Sequence, residues 1–263
     1  MFGTLLYQQG MDIAAATPAA PPTPETPSRG FLEGPVLLGI IAFGVVVLWD
    51  TPVIYPLKIL VVFFHEISHA LAALLTGGDV EHIEVVAQEG GLAYTRGGSR
   101  FVILTAGYLG SLLWGALILL VASRTRWDRA LSIALGLLMA FVTLWLVRPI
   151  LSFGFGFGTV TAAAMVGLGL KLPERLNDLV LRTIGLTSCL YAVLDIKSDI
   201  LDRPGISSDA KMLADLTGIP TLFWGGLWLL VALGLTIYLV RLALKRPSAH
   251  AIPARPTIES PSR

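Results

Sequence analysis

Phe63-Phe64-His65-Glu66-Ile67-Ser68-His69-Ala70 is the stretch that decides how this chain is read. It carries His-Glu-x-x-His among apolar residues. Residues four apart share a face of an α-helix, so His65 and His69 can offer two imidazole nitrogens to one metal ion. Glu66, between them, is placed to act on water as a general base. The surrounding residues 52–76 are mostly hydrophobic and long enough to cross a bilayer. Two histidines and a carboxylate at that depth are costly, which favours a functional site over histidines merely hydrogen-bonded into a helix bundle. The pattern implies metal-assisted hydrolysis within a membrane, with Zn2+ as the expected cofactor.

Composition points the same way. Of 263 residues, 54% are hydrophobic and 14% charged, with a mean hydropathy of +0.74. Soluble domains carry about a quarter charged residues. A net charge of +1 leaves no electrostatic footprint for nucleic acid. The single cysteine, Cys189, excludes an internal disulfide and a multi-cysteine zinc cage. It reads as a small apolar core residue.

Residues 1–34 include the Pro/Ala/Thr-rich run from Ala14 to Pro24 and are expected to be a disordered leader. Met1 to Gly10 has no basic region followed by a long apolar one, so no cleavable signal peptide is expected. Residues 247–263, with Pro247, Pro253, Pro256 and Pro261, read as a second disordered tail. Between them, 35–246 reads as a membrane-embedded domain of seven hydrophobic segments: 35–49, 52–76, 101–123, 130–147, 149–170, 179–196 and 220–244. The first falls short of the roughly 20 residues a crossing helix needs. Only Arg148 separates the fourth from the fifth. Lys58 and Arg182 stand near segment starts, where long stems can carry charge to the interface. No period of about 20 to 50 residues marks a repeat array. The expected fold is an all-α polytopic membrane protein of about seven transmembrane helices, with a small β-hairpin inserted after the motif helix.

That hairpin is read from residues 79–100. Val80 to Val86 and Leu92 to Arg96 are β-prone runs around Glu89-Gly90-Gly91. A protease binds its substrate extended, and an exposed strand edge can pair with such a segment. An ordinary surface hairpin fits the same pattern. His82, within it, reads as a solvated loop histidine and not as a ligand. The small residues Gly107, Ser111 and Gly115 repeat every four positions and suit a close helix contact. In Phe153-Gly154-Phe155-Gly156-Phe157-Gly158 a local unwinding and a lipid-facing aromatic patch both remain open.

A third ligand is sought among the aspartates around residues 197–219. Asp195 directly follows the apolar run Leu190-Tyr191-Ala192-Val193-Leu194, while Asp199 and Asp202 lie in the gap itself. Asp195 and Asp199 are four apart and can share a helix face. Three segments separate the motif helix from the sixth, so the two should run parallel. At 1.5 Å per residue, His65 lies about 20 Å and His69 about 26 Å from Pro52. Asp195 lies about 24 Å along from Leu179, and Asp199 about 30 Å. Depth selects Asp195 as the third ligand, with Asp199 as the alternative. Arg124, Arg126 and Arg129 crowd one short gap, and Arg241, Lys245 and Arg246 end the last segment. Short basic gaps favour the cytoplasm, which would place these ends inside and the hairpin and the 197–219 gap outside.

His65-Glu66-Ile67-Ser68-His69 in a membrane helix, the Gly-rich hairpin, and then Ala106-Gly107-Tyr108-Leu109-Gly110-Ser111 resemble the site-2 protease group, most closely its B-like subgroup. Tyr191-Ala192-Val193-Leu194-Asp195-Ile196 and Ser208-Asp209-Ala210 are similar to that subgroup as well. The resemblance covers roughly residues 55 to 225. Better-known site-2 proteases supply a third ligand from Leu-Asp-Gly, where this chain has Leu194-Asp195-Ile196. The resemblance implies a zinc-dependent endopeptidase embedded in the lipid bilayer of the cytoplasmic membrane, cleaving a membrane-anchored protein substrate. The rival reading is a non-catalytic scaffold or chaperone retaining a metal site. Glu66 argues against it, since a pure binding site needs ligands but no base. A transporter would show paired broken helices in two halves, and no such symmetry is visible.

Overall fold

The computed structural model describes residues 35–202 and 207–244. The leader expected at 1–34 and the tail expected at 247–263 lie outside the described residues. In chain order the elements are α1 (Pro35–Val47), α2 (Tyr55–Leu75), β1 (Asp79–Val86), β2 (Gly90–Arg96), α3 (Arg100–Arg124), α4 (Asp128–Trp145), α5 (Phe153–Lys171), α6 (Glu174–Lys197), a π-helical turn (Ser198–Asp202), α7 (Asp209–Thr217) and α8 (Thr221–Leu244). Among the described residues, six helices are long and apolar enough to cross a membrane: α2 to α6 and α8. The first expected segment is only a 13-residue helix, about 20 Å long and short of the hydrocarbon core. The all-α membrane class with a small hairpin therefore holds, with six full-length spans.

α2 is the centre of the bundle. Every residue from Ile59 to Phe64 is buried, as expected of a helix that is apolar on all sides. It ends at Thr76, and Gly77 takes the left-handed conformation (φ +84°) that turns the chain into β1. α3 lies against α2 on one side and α6 on the other. Gly107 faces His65 of α2, and Gly115 faces the Gly185 carbonyl and Ser188 of α6. Ser188 Oγ donates to the Ser111 carbonyl at 2.7 Å. The small-residue stripe thus serves two interfaces.

The Phe-Gly alternation does not unwind, and of its aromatic rings Phe153 is exposed while Phe155 and Phe157 pack partly against the core. It opens α5 as continuous helix. Gly154 lies against Val85 of β1, and Gly158 against Thr143 of α4 and Phe63 of α2. These two glycines share a face and let backbones close, while Phe157 stacks on Phe63 at 6.0 Å. Lys58 and Arg182 also depart from expectation, because each has a carboxylate partner close by. Lys58 is buried 3.1 Å from Glu89, and Arg182 is buried 2.5 Å from Asp178, one turn earlier.

The hairpin folds back along α2. At its tip Tyr55 Oη donates to the Ala87 carbonyl at 2.7 Å. At its base the Ser99 amide donates to Thr76 Oγ1 at 2.9 Å. The strands are antiparallel, with Ile83 opposite Ala93 and Val85 opposite Gly91. The outer edge of β1 is covered: the Ile83 amide donates to Leu146 at 2.9 Å, and the Arg148 amide to Ile83 at 3.0 Å. Among the described residues no strand covers the outer edge of β2.

Candidate active site

α2 presents His65, Glu66 and His69 on adjoining positions, and α7 brings a carboxylate to them. α7 begins with Ser208 as its cap, whose hydroxyl accepts from the Lys211 amide at 3.3 Å. Ala210 and Leu213, three apart, are buried in the apolar cluster that also holds Leu104 and Tyr108 of α3. Anchored there, the first turn of α7 sets Asp209 Oδ2 3.0 Å from His65 Nε2 and 3.2 Å from His69 Nε2. These three side chains form a group that can hold a metal ion.

The donor set fits a metal on three observations. Ligand atoms on a tetrahedral zinc, bonded at 2.0–2.1 Å, stand about 3.3 Å apart, close to both separations. His69 Nδ1 lies 2.7 Å from the Ile103 carbonyl. A carbonyl only accepts, so Nδ1 carries the proton, and in the neutral ring Nε2 turns a lone pair towards the cluster; this outer bond is the usual support of a metal-bound histidine. Finally, Asp209 Oδ2 is buried without a hydrogen bond among the described residues. Lone pairs facing one another in a dry place call for a cation between them.

Glu66 stands beside this cluster, buried, with Oε2 unpartnered among the described residues. Its carboxyl lies close to the Ala93 backbone amide. The sheet explains that approach. Ile83 directs its amide and carbonyl to Leu146 and Arg148, so its partner Ala93 turns its own away from β1, towards α2. Two glycines make room. A Cβ on Gly91 would stand 2.6 Å from Glu66 Oε1, and one on Gly107 would overlap both Asp209 Oδ2 and His65 Nε2. Tyr108 sets its ring edge-on to His65, with centroids 5.1 Å apart, and its hydroxyl donates to Asp199. His65, Glu66, His69, Asp209, Gly91, Ala93, Tyr108 and Asp199 line one cavity of about 620 Å³.

The third member of the cluster is a correction. Asp195 was expected with the histidines and Asp199 as its alternative; the residue that meets them is Asp209. Asp195 and Asp199 form part of the cavity wall instead, with Asp199 engaged by Tyr108. The depth argument assumed that the ligand must come from a membrane-crossing helix. The chain between α6 and α8 instead turns through a π-helical segment and packs a short helix into the bundle. The available signal was Ser208-Asp209-Ala210 opening an amphipathic turn with Leu213. His82 lies outside the cluster, stacked on Tyr94 at 4.1 Å and 3.3 Å from Glu84.

No curated protein and no solved structure matches this chain. The profile of the Peptidase M50B-like family matches residues 38–239. That span runs from α1 into α8 and takes in α2, the hairpin and α7, so every residue of the cluster falls inside it: the chain belongs to the Peptidase M50B-like family, intramembrane metalloproteases of the site-2 protease type.

Proposed function

We propose that this protein is a zinc-dependent intramembrane endopeptidase of the cytoplasmic membrane that cleaves membrane-anchored protein substrates, its catalytic domain being residues 35–246. His65, His69 and Asp209 are the ligands, and Glu66 is the general base. Bound zinc supplies Lewis-acid polarisation and makes water a nucleophile near neutral pH. The rest is done by the chain. Glu66 takes the proton from the attacking water and returns it to the leaving amine, which balances the hydrolysis. The Ala93 amide lies beside its carboxyl and Oε2 is left without a partner among the described residues, so Glu66 is able to accept. Gly107 keeps the face above the ligands clear. The open edge of β2 lies along the cavity, lined by Gly91, Leu92 and Ala93, and an extended substrate segment can add to it as a strand. Ala93 brings that edge beside Glu66, so a paired segment has its carbonyls beside the base.

The observation that carries this reading is the buried, unpartnered Glu66 oxygen next to a three-donor cluster. A scaffold retaining a metal has no use for it. Purified protein assayed for bound metal and for cleavage of membrane-anchored substrates tests the proposal. Glu66→Gln should retain the metal and lose turnover, and His65→Ala should lose both. Full proteolysis by Glu66→Gln would refute the mechanism.

A further inference from the structure

Lys58 lies two turns before His65 on α2 and takes no part in the cluster, yet it is a buried cation in an apolar helix. Its ammonium stands 3.1 and 3.3 Å from the two oxygens of Glu89 and 4.8 Å from the centre of the Trp49 ring. Glu89 is the last residue of the three-residue loop joining β1 to β2. It adopts φ +61° and is the one non-glycine residue with positive φ among those described. Three-residue hairpin loops place a left-handed residue here, ordinarily glycine. A glutamate kept in that sterically disfavoured conformation points to its carboxylate, and that carboxylate holds Lys58.

We infer that Lys58 and Glu89 are positioning residues for proteolysis: their ion pair clamps the hairpin tip to α2 and so fixes where the open edge of β2 stands over Glu66. The inference rests on the protease reading above. Its geometry is short-ranged. Gly91, two residues after Glu89, lies directly on the Glu66 carboxyl, and Ala93, two further, brings its backbone amide close to it. Tyr55, three residues before Lys58, holds the same loop through the Ala87 carbonyl, so the clamp tightens a tip that is already docked. Without it the strand stays paired to β1, but its free edge loses a fixed height along α2. The loss falls on substrate engagement, while the metal cluster, built from α2 and α7, is untouched.

Four variants test this: Lys58→Met, Glu89→Gln, their double substitution and Glu89→Gly. Metal content, thermal unfolding, KM and kcat, and amide exchange of residues 87–96 are measured on the full chain. Each single variant should raise KM at least about tenfold, retain its metal, and speed exchange across β2. The double variant should be no worse than either single one, because both break one interaction. Glu89→Gly is decisive. It removes the carboxylate and the backbone strain together, so a purely structural role predicts unchanged or improved stability with unchanged KM. The positioning role predicts kept stability with raised KM. Unchanged KM in Lys58→Met and Glu89→Gly overturns the inference while leaving the protease reading intact. Wild-type protein that cleaves nothing, with faster β2 exchange in Lys58→Met, would sink the protease reading and leave the clamp standing.

Discussion

Two glycines at the site separate the functions of its neighbours. Gly107 lies against His65 and Asp209, whereas Gly91 lies against Glu66 alone. Gly107→Ala forces a methyl group against His65 Nε2 and Asp209 Oδ2, the proposed ligand atoms, and should abolish metal binding, read as metal per chain on purified protein. Gly91→Ala displaces only Glu66, the proposed base, so it should keep metal and lose about 10²-fold in turnover, the usual consequence of misplacing a catalytic group by about an ångström. Metal loss in Gly91→Ala with retention in Gly107→Ala would contradict this division. At this scale the sequence was legible where spacing alone decides geometry. His65, Glu66 and His69 are fixed relative to one another by one helix. Asp209 comes from an element over a hundred residues away, and no local period announces where such an element docks.

At the scale of elements, α7 is the least expected part of the fold and the one on which the site depends. Acidic residues following a membrane helix suggest a solvated rim, but Ala210 and Leu213 bury one face of α7 against α3. Leu213 is fully buried, and its truncation to alanine should cost about 2–5 kcal/mol locally. Leu213→Ala should therefore weaken metal binding in a titration and recover at high metal concentration, since the ligands themselves remain. Metal affinity equal to wild type would show that Asp209 does not rely on this anchor. The hairpin was legible in kind and in place, from two β-prone runs about Glu89-Gly90-Gly91. Its course was not. That it folds back along α2, with β1 covered by residues 146–148 and β2 left open, follows from contacts with Tyr55, Lys58 and Leu146, which no local pattern encodes.

For the whole molecule, the membrane class follows from composition and from apolar runs long enough to cross; among the described residues six helices have that length and α1 is a shorter apolar helix beside them. Six alternating spans bring the end of α3, the start of α4, the junction of α5 with α6 and the end of α8 to one side. That side carries Arg124, Arg126 and Arg129 in one short turn, with Lys171, Arg175 and Arg241, whereas Arg96, Arg100, Arg148, Lys197, Arg203 and Lys211 are spread over the other; on the short basic turn we propose that the first side faces the cytoplasm. Trp127 in the α3–α4 turn is 72% exposed. Trp127→Cys in a Cys189→Ser background should resist an impermeant thiol reagent added outside intact cells, and labelling there would reverse the orientation. The account as a whole turns on which carboxylate completes the cluster across the bundle. The most direct measurement is bound metal per chain in Asp209→Ala beside Asp195→Ala, both purified under the conditions in which wild type retains its metal. Asp209→Ala should lose the metal while Asp195→Ala keeps it; full metal in Asp209→Ala, with loss in Asp195→Ala, would contradict the site described.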